Sequence, residues 1–162
     1  PIFTGVNIEP EITVELAQIY NILGAKEEAG INPLQPSDVI LRLPKDADFT
    51  IYSGDDTMVL QILIQGGSGV VSGGSHVVGD LMKEQISLFF SGEISDATAL
   101  YLKTYKFFKA LTLGERANPI PLTKAAITLT GFDAGIPRPP LLPPTEEEKR
   151  VLKDILKNLE KL

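Results

Sequence analysis

The chain alternates short apolar runs with segments of helical period. Residues 22–25, Ile-Leu-Gly-Ala, form a continuous apolar run of the kind seen in a strand buried on both faces of a parallel sheet. Upstream, residues 3–6 read as the end of a strand entering a glycine turn. Glu9-Pro10 then opens a helix with proline at its first position, and Ile12, Leu16, Ile19 and Tyr20 recur at helical spacing. Pro36-Ser37-Asp38 starts a second helix, with Val39, Ile40 and Leu43 on one face, and Pro44 ends it. Residues 48–56 read as a strand with an acidic C-terminal end. Residues 57–65 form a third, almost wholly apolar helix stopped by Gly66-Gly67, and residues 69–72 form another short buried strand.

After His76 the pattern is helical only. Val78, Leu81, Met82, Gln85, Ile86 and Phe89 share one helical face, and Gly92 ends that helix. Ser95-Asp96 opens the next, with a stripe of Ala97, Leu100, Tyr101, Tyr105, Phe108 and Leu111. Asn118-Pro119-Ile120-Pro121 turns rigidly into a helix holding Lys124, Ala125, Ala126 and Leu129. Residues 137–144 are proline-rich and extended, and Thr145 with Glu148 makes a capping box for a last helix burying Val151, Leu152, Ile155, Leu156 and Leu159.

Strand and helix in alternation predict a parallel α/β structure with right-handed crossovers. Four strands, the first partial, are few for a doubly wound domain, and a closed (β/α)8 barrel needs eight strands and ~250 residues. The pattern fits the C-terminal part of such a TIM barrel, about strands 5–8, plus a C-terminal helical extension. We divide it into residues 1–76, the βα units, and residues 77–162, the last barrel helix and the helical region. The chain opens without methionine and as though inside an element, so a processed or truncated piece is expected.

Composition narrows the chemistry. With 162 residues the chain can bury a core, and a net charge of -6 argues against a nucleic-acid or anionic-membrane partner. The absence of cysteine excludes disulfides and thiolate metal sites, and the single histidine, His76, leaves no histidine-based metal cluster. No run is long enough to span a bilayer, and a cytoplasmic location is expected.

Lys26 is the sharpest candidate. It follows the apolar run directly, where a parallel strand meets its loop and where α/β proteins place their chemistry. Apolar walls there would disfavour its charged form and leave a neutral amine, a nucleophile for carbonyl carbon. The alternative is a surface lysine paired with Glu27 or Glu28. Thr4, Ser53 with Asp55 and Asp56, and the glycine-rich residues 72–76 would open on the same face. Asp55-Asp56 also reads as a helix N-terminus, and His76 as a helix-start residue. The glycine-rich segment is not G-x-G-x-x-G, so a dinucleotide site is poorly supported.

N-I-L-G-A-K-E-E-A-G at 21–30, Y-S-G-D-D at 52–56, the glycine-rich strand at 69–75, N-P-I-P-x-x-K at 118–124 and P-R-P-P-L-L-P at 137–143 resemble the dihydrodipicolinate synthase / N-acetylneuraminate lyase family. The resemblance covers essentially the whole chain. It implies a pyruvate-dependent class I aldolase or lyase on a (β/α)8 barrel, with Lys26 forming the Schiff base with pyruvate and no metal or organic cofactor. It places Val71 where a backbone carbonyl faces the active site, Gly73 in the glycine-rich substrate segment, and Thr4 and Gly5 in the segment that contacts the substrate carboxylate. It also implies a pyruvate and an aldehyde substrate, a role in lysine biosynthesis and a homo-oligomer, a tetramer or dimer of dimers.

Two departures bear on this. The family's proton-shuttling tyrosine would lie just upstream of Pro1. Phe3 occupies the position of the arginine that binds the carboxylate of aspartate semialdehyde, and a phenyl ring cannot make that bidentate contact. The glycine-rich segment and the P-R-P-P tail also resemble 2-keto-3-deoxy sugar acid aldolases, which keeps that activity as an alternative. A non-catalytic fragment or assembly module is the alternative of another class, because an open half-barrel exposes strand edges and apolar interior.

Overall fold

Proline has no backbone N–H to leave unpaired, which suits it to the first turn of a helix. Pro10 opens α1 (Pro10–Leu16) in this way, and Pro36 stands in the first turn of α2 (Gln35–Arg42). The structure is a computed structural model that describes residues 4–28, 32–115 and 118–162. The chain divides into two compact units, residues 1–72 and 73–162.

The first unit is built on three parallel strands, β1 (Gly24–Glu27), β2 (Thr50–Ser53) and β3 (Gly69–Val70), in sheet order β1-β2-β3. A 3₁₀ turn at Asp56–Met58 leads into α3 (Val59–Ile64), which ends where Gly66 takes a φ of +100°. The register pairs Ala25 with Ile51, Lys26 with Tyr52 and Glu27 with Ser53. Side chains alternate across a strand. Ala25, Glu27, Ile51 and Ser53 therefore share the face under the helices, and Lys26 shares the opposite face with Tyr52. On the covered face Val39, Ile51 and Ile62 are buried together, with Val14, Ile40, Leu43, Phe49 and Met58 packed around them.

Four expectations are corrected here. Residues 22–25 are not a fully buried strand: β1 starts at Gly24, alternates exposed with half-buried residues, and leaves Leu23 exposed. Burial is one-sided because helices of this unit cover only one face. The helical stripe Ile12, Leu16, Ile19 and Tyr20 does not form the inner face of α1. That helix has 7 residues and buries Pro10 and Thr13, with Val14 against the core, while Ile12, Ile19 and Tyr20 are exposed. The buried strand at 69–72 is only two residues long, and Val71 lies beyond it, exposed. Of the partial first strand, residues 4–6 are turn and irregular backbone, and Phe3 lies outside the described residues.

The second unit is helical: α4 (Ser75–Phe90), α5 (Ile94–Ala110), α6 (Ile120–Leu129) and α7 (Glu146–Asn158). α4 packs on α5 and α6, and α7 on α5 and α6. Gly92, at φ +84°, separates α4 from α5 as the pattern predicts. The α5 stripe is rotated slightly from expectation. Phe107 and Thr104 are fully buried, while Tyr105 is exposed. Thr104 escapes the apolar count because its hydroxyl is satisfied within the helix, donating to the carbonyls of Leu100 and Tyr101 at 3.1 Å each. The capping box is present: Thr145 Oγ1 accepts from the Glu148 amide, and Glu148 accepts from the Thr145 amide.

Candidate active site

Lys26 is the third residue of β1, not the residue after it, and its side chain stands on the open face beside its register partner Tyr52. Among the described residues no apolar walls enclose it, and the pairing with Glu28 weighed as the alternative is present. The Lys26 side chain is 46% exposed, and Nζ lies 3.3 Å from Glu28 Oε1. Two residues apart on an extended chain, Lys26 and Glu28 point the same way. Glu27 points to the other face and does not compete for the amine.

The two side chains meet over Gly54. A Cβ at Gly54 would lie 2.4 Å from Glu28 Cγ, 2.8 Å from Lys26 Cε and 3.1 Å from the Glu27 carbonyl oxygen. The Gly54 amide donates to that carbonyl at 2.5 Å, which seats the residue against the end of β1. The glycine of Y-S-G-D-D therefore provides the space in which the Lys26–Glu28 pair sits.

Glu27 belongs to a second cluster. Gln35, only 3% exposed at the start of α2, donates from Nε2 to Glu27 Oε2 at 3.0 Å and to the Ile8 carbonyl at 3.1 Å. Its Oε1 accepts from Asn7 Nδ2 at 2.8 Å. One amide thus ties residues 7–8 to the end of β1. Burial pushes the Glu27 carboxyl above its usual range, the hydrogen bond from Gln35 pulls it down, and the charge of Glu28 raises it again.

Thr4 and Lys26 line one cavity of about 430 Å³, together with Asn7, Glu27, Glu28 and Gln35. The Thr4 hydroxyl is exposed and donates to the Val6 carbonyl at 2.9 Å. Val71 extends the ladder past β3, its amide donating to the Ser53 carbonyl at 2.8 Å. Gly73 is in the second unit, in the bend before α4, and is exposed. Asp55 takes the structural role weighed for it: its Oδ1 accepts from the Thr57 amide and hydroxyl, each at 2.7 Å, and caps the 3₁₀ turn. His76 is the second residue of α4 and exposed.

Sequence reasoning singled out Lys26 and Thr4, which the fold brings to one cavity. It did not find Gln35, whose importance comes from contacts with residues 8 and 28 positions away. It did not assign the geometry of Glu28 and Gly54 either, although period-two alternation places Glu28 on the lysine's face.

Parallel strands in sequential order, alternating with helices and carrying a lysine at a strand end, define an α/β protein of the βα-repeat class. A sequence profile of the dihydrodipicolinate synthetase family matches residues 1–159, and the chain belongs to that family. 4-hydroxy-tetrahydrodipicolinate synthase 1 of Halalkalibacterium halodurans is 42% identical over 149 residues, covering 92% of this chain and 48% of that protein. The 4-hydroxy-tetrahydrodipicolinate synthase of Archaeoglobus fulgidus is 41% identical over 160 residues, covering 99% and 53%. Among solved structures, the enzyme from Cyanidioschyzon merolae with lysine bound aligns with a TM-score of 0.89 at 34% identity, over 98% of this chain and 52% of that one. Dihydrodipicolinate synthase from Thermotoga maritima aligns with a TM-score of 0.87 at 34% identity, over 98% and 53%. The chain spans about half the length of the relatives it matches. No described helix is long and apolar enough to cross a membrane.

Proposed function

We propose that the full-length protein is a pyruvate-dependent class I lyase of the dihydrodipicolinate synthase type, and that this chain is the C-terminal half of its (β/α)8 barrel. The observation that carries the reading is the Lys26 amine, standing on the open face of a parallel sheet in a chain of that family. The coverage of relatives by half supports the half-barrel, as does the open sheet face, which the other half of a closed barrel would cover.

Lys26 Nζ attacks C2 of pyruvate, water leaves, and the iminium draws electrons from C3. Loss of a C3 proton gives an enamine that adds to an aldehyde; the reverse direction cleaves a 2-keto acid. Thr4, in the Lys26 cavity, contacts the substrate carboxylate side. Val71 and Gly73 contribute backbone groups from the glycine-rich segment. Phe3 stands at the position of the carboxylate-binding arginine, so the aldehyde is held differently on that side. A homo-oligomer in the cytoplasm, serving lysine biosynthesis, belongs to the same reading.

The test is chemical trapping. Full-length protein treated with pyruvate and borohydride gains a pyruvate-derived mass at Lys26 in a peptide map; an unmodified Lys26 would sink the assignment. A panel of aspartate semialdehyde, glyceraldehyde and N-acetylmannosamine, each with pyruvate, assigns the aldehyde, and light scattering gives the oligomeric state.

A further inference from the structure

We propose that Gln35 is a positioning residue for the aldehyde half of the reaction: its buried amide fixes the segment that carries Thr4 against the strand that carries Lys26. The inference rests on the lyase reading above and deepens it. Gln35 is the first residue of α2, and it lines the same cavity as Lys26 and Thr4. Its side-chain amide has one acceptor atom and two donor hydrogens, and all are used. Oε1 accepts from Asn7 Nδ2 at 2.8 Å, while Nε2 donates to the Ile8 carbonyl at 3.1 Å and to Glu27 Oε2 at 3.0 Å. This set of partners admits one orientation. Turning the amide over would bring Oε1 against two acceptors, the carbonyl and the carboxylate, and Nε2 against the Asn7 donor. Asn7 is held from the other side as well, donating from Nδ2 to Glu9 Oε1 at 3.0 Å.

Apolar packing does little for this segment, because Val6 and Ile8 are exposed, and the Thr4 hydroxyl donates within its own turn, to the Val6 carbonyl. At the strand, the amide grips Glu27, the residue after Lys26, from the covered face of the sheet. Lys26 stays on the open face. One side chain therefore sets the spacing between two walls of the cavity without reaching the amine. The consequence is selective. Pyruvate is captured by Lys26, and Gln35 has no part in that step. The aldehyde is held afterwards on the side of Phe3 and Thr4, where a phenyl ring stands in place of the family's arginine. With no guanidinium to reach for the aldehyde, its recognition falls to the backbone and the Thr4 hydroxyl, groups that are in place only where the segment is held. Loss of binding to a part of the substrate that does not react raises KM and leaves kcat.

The experiment uses the full-length protein as wild type, Q35E, E27Q/Q35E and N7A. Q35E keeps the shape and the acceptor but removes both donors. In E27Q/Q35E donor and acceptor exchange places, so the bond between positions 27 and 35 is restored with its direction reversed. Two rates are measured. One is adduct formation at Lys26 with pyruvate alone, followed by intact mass under borohydride trapping. The other is steady-state addition, at saturating pyruvate, to whichever of aspartate semialdehyde, glyceraldehyde and N-acetylmannosamine the wild type turns over fastest. Q35E is expected to trap pyruvate within about twofold of wild type and to raise KM for the aldehyde about tenfold, with kcat little changed. E27Q/Q35E should bring that KM most of the way back, and N7A should raise it without slowing the trapping. An aldehyde KM in Q35E equal to that of wild type would overturn the inference. So would a parallel loss of trapping and addition, the mark of a general structural fault. A wild type that forms no adduct at Lys26 would overturn the lyase reading itself, and the inference with it. If Q35E fails to fold, N7A and E27Q/Q35E decide on the same two rates, because Asn7 is half-buried and outside the core.

Discussion

Gln35 Nε2 donates to Glu27 Oε2 across 3.0 Å, and this bond joins the start of α2 to the end of β1 directly behind the lysine strand. Because Gln35 also holds Asn7 and the Ile8 carbonyl, the segment after Thr4 is positioned by a buried amide, not by apolar packing.

The first prediction concerns pH. The Glu27 carboxyl is raised above its ordinary value of 4.5, chiefly by burial, so ionising it costs the folded state more than the unfolded one. Its favourable contribution is complete below the unfolded value and is lost as pH rises through the folded value. An amide cannot ionise and still accepts from Gln35. E27Q should therefore melt at a higher temperature than wild type near neutral pH, with the gap closing below about pH 4. A gap of constant size across the melts would contradict this.

Replacing Gln35 with leucine keeps the volume and removes every bond of the amide. Asn7 Nδ2 retains Glu9 Oε1 at 3.0 Å, but the Glu27 carboxylate and the Ile8 carbonyl lose a donor. Ile8 is exposed and its carbonyl can turn to water, whereas the half-buried Glu27 carboxylate is left short of a donor, which costs about 1–3 kcal/mol. A urea titration of Q35L should show a loss in that range, and an unchanged midpoint would mean that water replaces the amide without cost.

Gly67 is a packing requirement. A Cβ there would lie 2.3 Å from Ile62 Cγ2, 2.9 Å from the Ile62 carbonyl oxygen and 3.0 Å from the Ile51 carbonyl oxygen. Ile62 is fully buried, and the two oxygens are backbone, so neither neighbour can yield cheaply. G67A should lose about 1–3 kcal/mol by chemical denaturation, against an expectation of near zero for a free loop glycine.

The capping box of α7 gives a control in the second unit. Thr145→Ala removes the acceptor for the Glu148 amide and should cost about 1 kcal/mol. Thr145→Ser keeps the acceptor and should sit close to wild type in the same thermal melts.

The sequence alone determined the order of elements, because each signal is local. Proline at the first turn, glycine at the stop and the S/T-x-x-E box act within one helical turn, and α2, α4, α6 and α7 form where those signals stand. Parallel pairing followed from alternating strand and helix, and the family from the lysine strand with Y-S-G-D-D. Tertiary structure decided which side of each element was covered. Hydrophobicity records what a residue can bury against, not whether a partner is there, so Tyr20, Leu23 and Val71 read as interior and stand exposed. It also decided the polar contacts. Gln35 reaches Asn7 across 28 residues, and Gly54 reaches the Lys26–Glu28 pair from the neighbouring strand. No local pattern encodes those distances; they follow from the register that places Lys26 beside Tyr52 and Gly54 just beyond it.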